Sequence, residues 1–364
     1  MSFDIVITWV DWSNKNFINK LIEAGGRSEG CDSGEFIELK YVLRSLEKHK
    51  IDYRKIHIVH SDNHPPPKYL KETKRLSFVP HSALVTDTSH LPLIHRESII
   101  AHLHKIPNIT NLFFYLEDDQ FIMNPKIFDA ILTAYNDKQI YVNKLKMNKS
   151  YNATAATGLY NLAMVNSSLL FDNKNYNIVQ QTHWIDFFDK SIINEIESLY
   201  PQHFLNTQSY QNQQKETYKE KYIIAVPCIF YNYLIYKKKF KTINSNELQI
   251  IEIHTNGYNK VTKSQKVDLL KKLDDSRNSW ILNAQGNGIS DEYPDCPIVH
   301  DIFYSFLEKE FPIKTEFENS QIEKFHTQNY EIKKFKLLTI LLTILLSIII
   351  VLGVKVSCKK KLLI

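Results

Sequence analysis

The chain has 364 residues, 43% of them hydrophobic and 23% charged, a globular balance that excludes a disordered or collagen-like polymer. Its formal charge of +5 is small, and Lys333, Lys334, Lys336, Lys355, Lys359, Lys360 and Lys361 cluster around one C-terminal apolar run. The remainder is near neutral and gives nucleic-acid binding little support, while only 9 glycines argue against repeats and Gly-rich phosphate loops.

Taken in chain order, Asp4–Val10 is a continuous apolar strand that ends in the polar turn Asp11-Trp12-Ser13-Asn14. Glu35–Lys48 has helical periodicity, with Phe36, Leu39, Val42, Leu43 and Leu46 on one face. Lys55–His60 is a second strand and Leu76–Pro80 a third. His95–Lys105 reads as a helix that Pro107 stops. Asn111–Leu116 is a fourth strand, running into Glu117-Asp118-Asp119. From Lys138 to Ser150 the pattern weakens. Ile185–Leu199 reads as a helix, Asn206–Lys221 as a polar loop, and Tyr222–Tyr236 as a helix interrupted at Pro227. Leu248–His254 is a strand, Ser264–Leu273 a helix, Trp280–Leu282 a short strand, and Val299–Phe311 closes the domain. Alternating apolar strands and amphipathic helices predict an α/β fold with a mostly parallel sheet, whose ligands bind beyond the carboxyl ends of the strands.

The two ends differ. The start, Met-Ser-Phe-Asp, lacks the basic flank and apolar length of a signal peptide. Leu337–Val354 is an uncharged apolar run, ~27 Å long as a helix, enough for a hydrocarbon core. The organisation expected is therefore a domain over 1–318, a polar stalk over 319–336, a transmembrane helix over 337–354 and a basic tail over 355–364. The domain would lie on the cytosolic side. Cys31, Cys228, Cys296 and Cys358 are far apart and form no C-x-x-C; they read as buried or free thiols in a reducing compartment.

Asp118-Asp119 at a strand end is the sharpest local feature: such carboxylates hold Mg²⁺ or Mn²⁺ against a diphosphate, or form a solvated acidic turn. Asp11 suits a donor hydroxyl, a metal or the role of base, or simply a turn. Lys40 and Arg44, four apart on the polar side of the first helix, suit a phosphate clamp or a solvated face. His95, His102 and His104 lack the i, i+4 spacing of a zinc pair and read as core residues. His183 stands alone before Trp184.

The order of these features carries a resemblance. FDIVITWVDWSN (Phe3–Asn14) is similar to I-D-x-V-Y-T-W-V-D-G-S-D, the opening motif of the Stealth family. ELKYVLRSLEKH…RKIHIVHSD (Glu38–Asp62) and LPLIHRESIIAHLHKIPNITNLFFYLEDDQFIMNP (Leu91–Pro125) resemble its second region. The stretch from His183 through Tyr236 is similar to the third region. Trp280–Glu318, ending FPIKTEFE, resembles the last, with its F-P-x-K-S-x-F-E. The resemblance implies a Rossmann-like fold of the nucleotide-sugar transferase type. It implies a hexose-1-phosphate transferase that uses an NDP-sugar such as UDP-GlcNAc, a glycan acceptor, and Mg²⁺ or Mn²⁺. Carried over by position, Asp118 and Asp119 would bind metal; Trp9, Ser13 and Asn283 would line the donor site; Asp11, Lys40, Arg44 and His183 would act in catalysis. The alternatives are a metal-dependent glycosyltransferase that releases NDP and a membrane-anchored, inactive binding or scaffold protein.

The chain also departs from the family pattern. Trp12 replaces Gly and Asn14 replaces Asp; His95-Arg96 replaces Asn-Ser, Ile100 replaces Glu, and Glu117 replaces Asn. Gln211–Gln214 lies where an arginine is expected, and Ile281-Leu282-Asn283-Ala284 replaces C-L-N-D. These changes imply an altered donor or acceptor, or a site that has lost turnover.

Overall fold

The computed structural model describes residues 2–11, 14–23, 38–146, 159–171, 177–180, 185–210, 223–244, 248, 250–254, 262–285 and 296–319. Among them the strands are β1 (Asp4–Trp9), β2 (Lys55–His60), β3 (Leu76–Pro80), β4 (Leu112–Glu117), β5 (Gln120–Ile122), β6 (Gln139–Lys146), β7 (Asn177–Gln180), β8 (Asp186–Asp189), β9 (Lys241–Asn244), β10 (Ile250–His254) and β11 (Ile281–Gln285). The helices are α1 (Lys15–Glu23), α2 (Glu38–Lys48), α3 (Arg96–Ile100), α4 (Lys126–Asn136), α5 (Leu159–Leu169), α6 (Lys190–Leu199), α7 (Pro201–Gln208), α8 (Val226–Tyr236), α9 (Lys263–Ser276) and α10 (Cys296–Glu310).

A five-stranded sheet in the order β3-β2-β1-β4-β8 forms the centre. β1 to β4 run parallel and β8 closes the edge antiparallel, so the expected mostly parallel α/β sheet is what forms. Ile5, Val6 and Ile7 of β1 and Phe113, Phe114 and Leu116 of β4 are wholly buried. Strands covered on both faces read as unbroken apolar runs, which is why these two were legible. Phe114 stands edge-on to Phe3 and to Phe128 of α4, with ring centroids 4.9 Å apart in both pairs. Such pairs add about 0.5–1.5 kcal/mol each beyond their area burial. Two smaller sheets, β10-β11-β5 and β7-β6-β9, flank this core.

The apolar stripe of α2 (Leu39, Val42, Leu43, Leu46) is buried as its period requires. The hydroxyl of Ser45 locks the helix to β5 by accepting the Ile122 N–H at 3.0 Å.

Several expected elements take another form. Ile185–Leu199 is not one helix. Asp186–Asp189 pairs with β4, and the Asp189 carboxylate then accepts the N–H groups of Ser191 and Ile192, starting α6 afresh as an N-cap. His95–Lys105 splits into α3 and a 3-10 turn over Leu103–Lys105. The imidazole of His102 donates to the Ser98 carbonyl at 2.7 Å, while the His102 N–H turns to Ile99. Pro227 does not interrupt a helix: it lies in the first turn of α8, where its missing N–H costs nothing. Pro201–Gln208, whose end from Asn206 was expected in a loop, is helical, and β6 occupies the stretch where the pattern weakened.

The described chain forms two compact units, Met1–Pro67 with Glu72–Phe317, and Lys68–Lys71 with the segment that begins at Glu318. Within the second unit, Leu70 bridges Glu318 antiparallel, and the Asn319 N–H donates to the Tyr69 carbonyl at 2.8 Å. No helix among the described residues is long and apolar enough to cross a membrane; Leu337–Val354 lies outside them.

Candidate active site

From β1 the chain builds outward to β2 and β3, then returns to place β4 on the other side of β1. The order reverses between β1 and β4, and in open parallel sheets ligands lodge beyond the carboxyl ends at such a point. Asp11 follows β1 there, and Asp118-Asp119 forms the turn from β4 into β5. The two strands are tied near this end by Thr8 Oγ1 and the Tyr115 hydroxyl, 3.1 Å apart.

The turn is rigid at its base: the Glu117 N–H donates to Gln120 Oε1 at 3.0 Å. Gln120 is buried and stands in register with buried Asn283 on β11. Glu38, at the start of α2, faces the same acidic patch and accepts the Tyr304 hydroxyl at 2.7 Å. Its other carboxylate oxygen is buried without a hydrogen-bond partner, as is Asp119 Oδ1. Carboxylates packed without donors cannot all stay charged. Burial first, then the charges of Glu38 and Glu117, push the Asp118 carboxyl up to about 8. Burial and the neighbouring Glu117, Asp118 and Glu38 hold Asp119 well above the usual carboxylate range, and burial raises Glu38.

Arg96, the first residue of α3, meets this patch. Its Nε donates to Glu117 Oε1 at 2.7 Å and its Nη1 to Glu97 Oε1 at 2.8 Å, while the guanidinium lies 6.0 Å from the centre of the Tyr115 ring. Glu97 is buried, and its second oxygen accepts the Val226 N–H at 3.2 Å. On β8, buried Asp186 has an oxygen without a hydrogen-bond partner. Burial, with Glu117 and Glu97 nearby, holds its carboxyl well above the usual range against the pull of Arg96. His95 caps α3 by accepting the Glu97 N–H at 3.2 Å; burial, then Arg96, lowers it to about 4, so it is neutral at physiological pH.

The residues expected at the site do not all come together. Asp11, Asp118, Asp119 and Asn283 belong to the carboxyl-end region: Asp11 is half-buried, its N–H donating to His64 Nε2 at 3.3 Å. Trp9 is buried, its ring edge-on to His64 at 5.0 Å, and so forms wall rather than an open stacking platform. Arg44 corrects the reading of a polar helix face. Its side chain is 1% exposed and spent on Glu308 at 3.2 Å and the Phe311 carbonyl at 3.1 Å, tying α2 to the end of α10. Lys40 is half-buried, with Nζ 5.0 Å from the Tyr41 ring centre. Ser13 and His183 lie outside the described residues. His95, His102 and His104 are buried, as core residues should be. Sequence reading passed over Glu38, Arg96, Glu97 and Asp186 as site residues. Arg96 and Glu117 had been marked as separate departures from a pattern, and only the fold brings them together.

No three His, Cys, Asp or Glu side chains among the described residues converge into a cage for a metal ion. The oxygen donors of Asp118 and Asp119 nevertheless fit Mg²⁺ or Mn²⁺: Mg²⁺ is commonly held by one or two carboxylates, with waters and substrate phosphates completing the shell. The orphaned Asp119 oxygen and the mutual repulsion in the patch are what a cation would relieve.

A family model described as Stealth protein CR2, conserved region 2, matches residues 33–140. The exopolysaccharide phosphotransferase CpsY of Mycobacterium tuberculosis is 26% identical over 327 residues, covering 86% of this chain and 58% of that protein. The capsular polysaccharide phosphotransferase SacB of Neisseria meningitidis serogroup A is 28% identical over 214 residues, covering 56% of this chain and 38% of that protein. The chain thus spans 58% of the first of these relatives and 38% of the second. Among solved structures, an active-site mutant of LgtC aligns over 86% of this chain and 98% of its own at 10% identity, with a TM-score of 0.40. At that score the likeness carries no functional weight. The matched region, which contains Glu38, Arg96, Glu117, Asp118 and Asp119, is thus similar to conserved region 2 of Stealth proteins, and together with the phosphotransferase relatives it supports a Stealth-family member.

Proposed function

We propose that the chain transfers a hexose 1-phosphate from an NDP-sugar to a hydroxyl of a glycan. The observation that carries this reading is the carboxyl pair Asp118-Asp119, with an Asp119 oxygen left without a partner and Glu38 and Glu117 crowding it, at the point where the strand order reverses. Such a group suits a divalent cation and, through it, a diphosphate. The phosphotransferase names of the relatives agree with it.

The reaction balances as follows. The acceptor hydroxyl oxygen attacks the β-phosphorus, the bond from that phosphorus to the oxygen bridging it to the α-phosphorus breaks, and NMP leaves with the bonding electrons. The hydroxyl proton passes to a base, and a sugar–phosphate–sugar diester remains. Phosphoryl transfer of this kind demands positioning and charge neutralisation more than covalent chemistry. Asp118 and Asp119 would hold Mg²⁺ or Mn²⁺, which supplies the positive charge. Asp11 and His183 are the candidate bases, Lys40 a candidate phosphate contact, and Asn283 and Ser13 candidate donor contacts. Leu337–Val354 would anchor the domain on the cytosolic side of a membrane.

The test incubates the full chain with UDP-GlcNAc and other NDP-sugars, Mg²⁺ or Mn²⁺, and sugar acceptors, and identifies the nucleotide released. NMP is expected. Release of NDP would replace this reading with glycosyl transfer, and no release from any donor would leave a binding protein.

A further inference from the structure

We infer that Arg96 is a phosphate-binding residue of this site, held in readiness by Glu117 and exchanging that partner for the anionic diphosphate of the donor. The inference rests on the transferase reading for the identity of the donor, and on the geometry of Arg96 for the site itself.

Two carboxylate anchors of Arg96 among the described residues are unequal. Glu97 is 1% exposed and fixed from behind by the Val226 N–H, so it holds the guanidinium from the inside. The Glu117 side chain is 23% exposed and that of Arg96 40%, so this part of the network opens to solvent. A guanidinium pinned on one side by a buried carboxylate and covered on the other by a displaceable one is pre-oriented for an oxyanion, because its planar fork matches phosphate oxygens. Glu117 is also the residue before Asp118, and its charge acts on both Asp118 and Asp119, so the partner that Arg96 would release borders the carboxyls proposed to hold the metal.

Arg96 and Glu117, 21 residues apart in the chain, carry opposite charges that meet at 2.7 Å. Arg44, the cation first expected to clamp phosphate, is buried and spent elsewhere, and Arg96 takes over that task.

The experiment measures binding of UDP and of inorganic pyrophosphate to the full chain by calorimetry, with and without Mg²⁺. Circular dichroism checks the fold of each variant. Arg96→Met is expected to weaken both ligands about 10- to 100-fold, the worth of charge-assisted hydrogen bonds. Arg96→Lys should fall between, keeping the charge but not the fork. Glu117→Gln should tighten pyrophosphate by up to about fivefold, because the exposed ion pair no longer competes. A purely structural ion pair predicts otherwise: Arg96→Met within twofold of the unaltered chain, or Glu117→Gln no tighter than it, would overturn the inference. Should Arg96→Met fail to fold, the Glu117→Gln result alone decides. Diphosphate binding that depends on Arg96, with no NMP released from any donor, would uphold this site and overturn the transferase reading. An unaltered chain that binds neither ligand would overturn both.

Discussion

Two acidic groups at opposite ends of one sheet behave in opposite ways. At the amino end, Asp4 of β1 is wholly buried yet fully served: Arg54 holds both its oxygens, His57 Nε2 lies 3.1 Å away, and the Thr110 N–H donates at 3.0 Å. Burial opposes its charge, but these partners outweigh that cost and pull the carboxyl down to about 2. At the carboxyl end, Asp118 and Asp119 have neighbours of their own sign, and Asp118 is pushed up to about 8. The same side chain on adjacent strands of one sheet is structural where its donors are complete. It becomes a candidate for chemistry where they are missing, because perturbed carboxyls that lack partners are suited to binding something else.

The comparison breaks most visibly at the carboxyl end. Asp118→Asn and Asp119→Asn remove like-charge repulsion without changing side-chain volume, so neither should destabilise the fold, and thermal melts at pH 8 should rise or hold. Turnover, measured as nucleotide released, should fall about 10²–10³-fold, some 3–4 kcal/mol of transition-state stabilisation. Full activity in both variants would remove these residues from the mechanism.

At the amino end the effect is on stability instead. Asp4→Asn leaves His57 and Arg54 without their carboxylate. Breaking a buried pair costs about 3–5 kcal/mol, and because Arg54 is 41% exposed the loss expected here is about 2–3 kcal/mol, read by urea unfolding. The pH dependence separates the two ends. Asp4 has a lowered folded value, so the folded chain binds fewer protons than the unfolded one between about 2 and its ordinary value of 3.8. Its share of stability, about 2 kcal/mol, is present above that window and lost as pH falls through it. Asp118 has a raised folded value, so the folded chain binds more protons between 3.8 and about 8, and stability falls as pH rises through that range. Asp4→Asn should reduce the acid-side rise, leaving the share of Glu197, which is also held at about 2, and Asp118→Asn should lessen the decline toward pH 8. A decline unaltered in Asp118→Asn would place the perturbed carboxyl elsewhere.

What could be read from sequence follows the same division. β1 and β4 were legible because a strand buried on both faces is a run of apolar residues, and Asp118-Asp119 was legible because it terminates one. Arg44 was misread because the groups that bury it, Glu308 and the Phe311 carbonyl, are more than 260 residues distant in the chain. β8 was taken into a helix because Ile185–Leu199 keeps helical spacing throughout; what divides it is the Asp189 cap and the pairing of Phe187 and Phe188 with β4. Arg96 and Glu117 each looked like a loss. Their meaning lay in a distance, which spacing along a chain does not record.

The smallest effect expected is at Ser77. Its hydroxyl lies 3.1 Å from His57 Nδ1, and His57 Nε2 reaches Asp4, so serine, histidine and aspartate stand in line across β3, β2 and β1. The order is that of a nucleophile, a base and its acid, and a cleft of about 540 Å³ lined by His57 and Ser77 adjoins it. The arrangement is nevertheless closed. Arg54 and the Thr110 N–H already take the oxygens of Asp4, His57 is buried, and the group lies at the end of the sheet away from the reversal of strand order. Ser77→Ala should therefore cost about 1 kcal/mol of stability, the worth of one hydrogen bond, and leave turnover unchanged. A substantial fall in turnover, with the urea midpoint barely moved, would mean that the amino end of the sheet takes part in function and that complete hydrogen bonding is no guide to which of the two ends is structural.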